Sequence, residues 1–207
     1  GRDVELVTHK QPKKPGEVIL DVKNLTVPSK AHKNDAVKNV SFQVRAGEIL
    51  CLAGIEGNGQ TEFVYGLTGL EPVTSGKVEF LGRDITHMPI RKRSTMGLSH
   101  IPEDRQRRGL VLDFTLEENI VLGRCGSEPF SAHGVLKHDA MRAYADRIIE
   151  QYDVRCGEGA RSKAGGLSGG NQQKAIVGRE IERPHELLIA FQPIRGMDAV
   201  SYTHLTL

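Results

Sequence analysis

The stretch CLAGIEGNGQTEF, residues 51–63, limits the folds open to this chain more than any other. An apolar run, EILCLA, stops at a loop carrying Gly54, Gly57 and Gly59, and the helix-forming TEFVYGLTGL follows. Strand, glycine loop, helix is the order a phosphate cradle requires. Glycines at these positions let successive backbone N–H groups turn inward toward phosphate oxygens. The helix that starts near Thr61 adds the positive end of its dipole. The spacing is that of G-x-x-x-x-G-K-S/T with one replacement, Gln60 in place of the lysine. Thr61 keeps the hydroxyl that ligates magnesium in such loops. The dinucleotide pattern G-x-G-x-x-G fails, because Glu62 stands where its third glycine belongs. On the loop alone, a nucleotide site and an ordinary turn between a strand and a helix are equal readings.

Composition narrows the classes. A chain of 207 residues, 38% hydrophobic and 26% charged, can bury one substantial core, so one domain with room for a subdomain is expected. A net charge of +2 says little by itself, although a nucleic-acid binder more often shows a clear basic excess concentrated on one face. The two basic clusters, Arg91-Lys92-Arg93 and Arg105-Gln106-Arg107-Arg108, read as solvated loop charge. Cys51, Cys125 and Cys156 are odd in number and far apart, which fits neither a disulfide framework nor paired zinc ligands. No stretch approaches the ~20 apolar residues of a membrane span, so work at a membrane would need spans from another chain. The triplets Asn24-Leu25-Thr26 and Asn39-Val40-Ser41 lie in strand-like sequence and read as chance glycosylation matches.

Along the chain, residues 1–17 with Pro12, Lys13, Lys14, Pro15 and Gly16 resemble a linker. VILDVKNLTV and VKNVSFQV have strand composition, and SGKVEFLGRDI reads as a small hairpin or edge strand. From Lys137 to Tyr152 the apolar positions Met141, Tyr144, Ala145, Ile148, Ile149 and Tyr152 recur at helical spacing, predicting a helix with one packed face. LSGGNQQKAIVGREIE predicts a second amphipathic helix opened by two glycines, and HELLIAF a buried strand ended by Pro193.

The octet LSGGNQQK, Leu167 to Lys174, decides between the two readings of the loop. A lone SGG would be a capped helix start, but the whole octet resembles the signature motif of ATP-binding cassette proteins. LLIAFQPIRGMD is then similar to a Walker B strand and D-loop. Phe191 stands at the magnesium-associated aspartate, Gln192 at the catalytic glutamate and Asp198 at the D-loop aspartate. LSHIPEDRQRRGLVLDFTLEENIVL resembles the Q-loop and the start of the helical subdomain, with Glu103 at the glutamine position. The wording PEDR, GLVL and EN resembles the second cassette of fused two-cassette simple-sugar importers, and GNGQTE with QP resembles the branch that serves nucleosides.

The resemblance implies an α/β P-loop NTPase fold with a mixed central sheet, an N-terminal antiparallel β subdomain and a helical signature subdomain at about 112–166, the cassette covering 18–198. It implies ATP and Mg2+ as cofactors. Gly54, Glu56, Gly57, Asn58, Gly59, Gln60, Thr61 and Glu62 would form the loop half of a site, with Thr61 on the metal. Ser168, Gly169 and Gly170 would complete a site in a partner cassette upstream, and Asn171 and Asp198 are also implied to bind nucleotide. Gln192 cannot serve as a general base and Phe191 removes second-shell support for magnesium, so the chain's own site would bind without efficient turnover. Further implied partners are transmembrane permease subunits and, indirectly, a solute-binding protein, with the domain on the cytoplasmic face of the membrane. The alternative is a soluble regulatory cassette with no membrane partner. The chain departs from the pattern after Asp198: AVSYTHLTL does not continue as the expected helix, reads as a non-native tail at 199–207, and leaves a C-terminally truncated cassette. No aromatic lies in LTVPSKAHKND to stack on adenine.

Overall fold

A computed structural model describes residues 14–29, 34–55 and 57–197. The expected linker up to residue 13, Glu56, Asp198 and the tail at 199–207 lie outside the described residues. The chain forms two compact units, one from 14–99 with 185–189 and one from 100–184 with 190–197.

In the first unit β1 (Val18–Pro28) lies between β2 (Asp35–Arg45) and β3 (Ser75–Phe80), with β4 (Arg83–Asp84) outside β3; all pairs are antiparallel. Val22 faces Phe42 on one side and Val78 on the other. The buried positions of β1 run Leu20, Val22 and then Leu25, Val27, so the alternation skips a residue at Asn24. Side chains on a strand change face only where an extra residue is inserted. The ladder is irregular there, and Asn24 takes a φ of 52°, a left-handed conformation that asparagine tolerates. Its N–H donates to Ser41 Oγ at 2.8 Å. Asn39 adopts the same conformation, φ 53°, and its N–H donates to Thr26 Oγ1 at 3.2 Å. Both asparagines of the glycosylation-like triplets are therefore explained by backbone geometry.

The helix α1 (Gln60–Thr68) buries Phe63, Val64, Tyr65 and Leu67, with the Phe63 ring 5.5 Å from that of Phe42. Each such side chain contributes roughly 1.5–3 kcal/mol when fully buried. Gly66 permits the close approach, since a Cβ there would stand 2.8 Å from Val27 Cγ2. The end of α1 is held by a residue of α2 (Ile90–Thr95), Arg93, which is only 2% exposed. Its Nη1 donates to the carbonyls of Leu67 at 2.7 Å and Gly66 at 3.4 Å, Nη2 to that of Thr86 at 3.0 Å, and Nε to that of Met88 at 2.8 Å. The expectation of solvated charge thus fails at Arg93, where backbone carbonyls replace water around the guanidinium. Burial lowers its pKa from the usual arginine value.

A second correction concerns EILCLA. It forms no strand; residues 48–55 are irregular, with Ile49 75%, Leu52 58% and Ile55 74% exposed. A run apolar on both faces suits a strand with neighbours on both sides. No described strand pairs with it, so the chain enters the glycine loop without a ladder.

In the second unit α3 (Leu116–Val121) starts at a capping box: Thr115 Oγ1 accepts from the Glu118 N–H at 3.3 Å, and the Glu118 carboxylate accepts from the Thr115 N–H at 2.8 Å. A two-residue-per-strand hairpin, β6 (Ser131–Ala132) and β7 (Val135–Leu136), precedes α4 (His138–Gln151), the helix expected over 137–152. Leu116, Ile120, Ala145, Ile148 and Val154 pack with Ala175 of α5 (Gly169–Glu182) into the core of this unit. Gly178 of α5 admits α4, because a Cβ there would lie 2.7 Å from Ile148 Cγ2. β8 (Leu187–Ala190) pairs with β5 (Leu98–Ile101), residues 98–99 and 187–189 belonging to the first unit and 100–101 and 190 to the second. The Glu186 N–H donates to the Gly97 carbonyl at 2.9 Å and the Phe191 N–H to that of Ile101 at 3.0 Å, so the strands run in the same direction. Among the described residues no helix is long and apolar enough to cross a membrane.

Candidate functional site

The glycine loop belongs to the first unit. Gly59 is the N-cap of α1 with a φ of 88°, and Gly57 has a φ of 89°; both need the left-handed region that glycine enters freely. A Cβ at Gly59 would stand 2.5 Å from the Ala36 carbonyl oxygen, so the loop also depends on close backbone approach to β2. A Cβ at Gly57 would meet open space, so that side of the loop is clear. The first turn of α1 directs N–H groups that lack intrahelical acceptors out of the helix start, the arrangement that binds phosphate. Thr61 and Glu62 lie in that turn.

Gln60 does not extend outward. Its Nε2 donates to the Ile55 carbonyl at 2.9 Å, and its carboxamide lies where a Cβ on Gly54 would fall. Where a lysine would carry a positive charge to the phosphates, the loop has a neutral group folded onto its own backbone. The backbone part of the cradle fits a phosphate chain. For a metal the chain offers the Thr61 hydroxyl, and no group of three or more His, Cys, Asp or Glu residues among those described could hold an ion.

The octet lies in the second unit and divides in two. Its tail is buried and anchored: Gln172 Nε2 donates to the Ala164 carbonyl at 2.9 Å and Gln173 Nε2 to that of Pro193 at 2.8 Å. Lys174 Nζ donates to the carbonyl and carboxylate of Asp153 at 2.9 and 3.0 Å. Its head is only partly open: Ser168 is exposed, while Gly169 and Gly170 are half-buried. Ser168 is the exposed N-cap of α5, with Gly169 and Gly170 in the first turn, and Asn171 Nδ2 donates to Ser168 Oγ at 3.0 Å. Asn171, which the resemblance assigned to nucleotide, thus orients the serine and also accepts the Arg155 N–H at 2.9 Å.

Against this head the second unit sets two loops. Gln192, exposed and at a φ of 46°, accepts from Arg195 Nη1 at 3.3 Å. The same guanidinium nitrogen lies 3.6 Å from the Glu103 carboxylate, so Arg195 joins Glu103 to Gln192. Phe191 continues β8 through its N–H and brings no carboxylate. Sequence reasoning missed Arg105. It is half-buried, where solvated charge was expected, and donates from Nη1 to the Arg195 carbonyl at 3.1 Å. Its position two residues after Glu103, in PEDR, was the available signal.

Residues 37–194 match the family model described as ABC transporter. The chain is 45% identical over 206 residues to a nucleoside import ATP-binding protein of Lactococcus lactis and 43% identical over 206 residues to a guanosine import ATP-binding protein of Bacillus subtilis. Each match covers 99% of this chain and 40% of the relative, so the chain spans well under half of their length. A ribose import ATP-binding protein of Bacillus licheniformis is 34% identical over 199 residues, 96% of this chain and 38% of its own length. Among solved structures, the dimeric bacterial ABC transporter cassette MJ0796 superposes with a TM-score of 0.75 at 20% identity, over 90% of this chain and 79% of that one, which establishes the shared fold.

Proposed function

The chain belongs to the ABC transporter family of ATP-binding cassettes, and from that premise we propose that it is an ATP-binding part of an importer for nucleosides or simple sugars, acting as the second of two fused cassettes. Its relatives are named for nucleoside, guanosine and ribose import. Its partners are a second cassette and membrane permease subunits at the cytoplasmic face, with a solute-binding protein engaged indirectly.

In this reading the cassette's two halves do different work. The loop from Gly54 to Thr61 holds the phosphates of ATP through backbone N–H groups, and Thr61 offers its hydroxyl to Mg2+. Without the lysine the loop lacks one charge-assisted hydrogen bond, on the order of 1.5–3 kcal/mol, or roughly 10- to 100-fold in affinity. Gln192 is a carboxamide and cannot take a proton from water, a loss of about a hundred- to ten-thousand-fold where general-base assistance is needed. Bound ATP would supply the phosphoanhydride whose cleavage drives transport. The signature head, in contrast, keeps its residues: exposed Ser168, followed by the half-buried Gly169 and Gly170, would meet the nucleotide of the partner cassette. The observation that carries this reading is the division of the octet, whose buried tail fixes the helix while Ser168 at its head stays exposed.

The test is steady-state ATP hydrolysis by the assembled importer carrying either Ser168→Ala or Gln60→Ala. Ser168→Ala is expected to lower turnover by about a hundredfold, the scale for removing a donor to developing charge, and Gln60→Ala by far less. The reverse order defeats the proposal, as does a variant with Gln60→Lys, Phe191→Asp and Gln192→Glu whose per-site hydrolysis equals that of the unmodified second site.

A further inference from the structure

Three consecutive residues, Glu103, Asp104 and Arg105, do three different jobs in the second unit. Glu103 reaches Arg195. Asp104 caps a single π-helical turn, Arg105–Gly109, accepting the N–H groups of Gln106 and Arg107 at 3.1 Å each. That turn fixes the backbone at Arg105. Single π-helical turns are frequent at functional sites.

Arg105 is aimed at the start of α5. Its guanidinium occupies the space that a Cβ would need on both Gly169 and Gly196. The built Cβ of Gly196 would be 3.1 Å from Nη1, and that of Gly169 would overlap Nη2. Nη1 also donates to the Arg195 carbonyl. One planar group therefore touches the signature head, the loop that follows β8 and, through its own backbone, the segment carrying Glu103. Two parallel links run beside it: Gln106 Nε2 donates to Gln172 Oε1 at 3.3 Å, and a Cβ on Gly170 would lie 3.1 Å from the Gly196 carbonyl oxygen.

This placement is poor for stability. A cation at a helix N-terminus opposes the helix dipole, and Arg105 Nε is buried without a hydrogen-bond partner, which costs free energy. An exposed position would suit the arginine better, as it does Arg107 in the same turn. A side chain held where it costs stability, between two glycines that make room for it, is doing something other than stabilising the fold.

We propose that Arg105 is a positioning residue that sets the Ser168–Gly170 head against the 192–196 loop and couples both to the Glu103 segment. It rests on the reading that the head serves a partner's nucleotide, but it has a readout of its own. Hydrogen exchange on this chain, without any partner, measures it directly. Arg105→Ala is expected to speed exchange of the hydrogen-bonded amides of Gln172, Arg195 and Met197 by about tenfold, leaving the melting temperature close to that of the parent. Arg105→Lys keeps the charge without the planar fork and is expected to fall between the two. Arg107→Ala removes the same charge two residues on and leaves the exchange pattern as it was. Unchanged exchange in Arg105→Ala overturns the proposal, and so does an equal effect from Arg107→Ala, which would assign it to charge alone. In the assembled importer Arg105→Ala should lower kcat with KM little changed. If exchange responds as expected and Ser168→Ala spares hydrolysis, the partner-site reading fails while the positioning role stands.

Discussion

Replacing Arg93 by methionine tests whether a buried arginine with only carbonyl partners holds the helix after the glycine loop in place. Three of its bonds are short, 2.7, 2.8 and 3.0 Å, and the fourth, to Gly66, is long at 3.4 Å. At a net of about 1 kcal/mol each the three short bonds are worth about 3 kcal/mol. The carbonyls of Leu67, Thr86 and Met88 would lose this donor, which raises the cost. Methionine fills much of the space and relieves the burial of a charge, which lowers it. The balance is a loss of about 2–4 kcal/mol for Arg93→Met. Arg93→Lys keeps the charge but serves acceptors that now lie on three different nitrogens from a single ammonium, so about 1–2 kcal/mol is expected. The chain has no tryptophan, so urea unfolding followed by circular dichroism is the assay, with the midpoint falling and the slope unchanged. The reasoning is refuted if Arg93→Met lies within about 0.5 kcal/mol of the parent, the range of an ordinary surface substitution, or if Arg93→Lys costs as much as Arg93→Met.

His100 on β5 gives a pH prediction. Desolvation, opposed by nearby Glu180 and reinforced by Arg108 and Arg179, lowers its pKa from 6.5 to about 4. The unfolded chain takes up this proton first, so stability contributed by the neutral imidazole is present above pH 6.5 and lost as the pH falls toward 4. Its size is on the order of 2–3 kcal/mol, and the melting temperature of the parent should fall over that range relative to His100→Gln; parallel curves would contradict it. Thr115→Ala removes the capping box of α3 and should cost about 1 kcal/mol, read as a shift in the urea midpoint. Asn119, fully buried, accepts from the Val111 N–H at 2.8 Å and donates from Nδ2 to the Val111 carbonyl at 2.9 Å. Asn119→Ala leaves those groups unmatched and should cost about 2–3 kcal/mol, more than Thr115→Ala in the same titration.

The elements whose signals are local were legible in the sequence. The helices at 60–68, 138–151 and 169–182 follow from apolar spacing and glycine punctuation, and the hairpin of β3 and β4 from its turn at Leu81 and Gly82. What depends on neighbours was not. EILCLA has strand composition, but a strand exists only where something pairs with it. The face change in β1 hides in a single asparagine, Asn24. Arg93 and Arg105 each sit in a basic run that reads as solvent charge, and nothing in those runs shows carbonyls from residues 66, 67, 86, 88 and 195 converging on them. In the candidate site, the octet told where a helix starts. It did not tell that Asn171 orients the serine, or that Gln60 folds onto Ile55, because side-chain direction is set by the three-dimensional surroundings.

The uncovered run before the glycine loop makes Cys51 a reporter. It is the exposed thiol of the three, whereas Cys125 and Cys156 are partly buried and donate weakly to the carbonyls of Leu122 and Val154 at 3.5 Å. Burial also raises the pKa of Cys156, which slows its attack on a reagent. A single round of thiol labelling would therefore mark one residue, three positions before Gly54. The rate of that labelling would read whether residues 49–54 have gained a neighbouring strand, with no tag added to the chain.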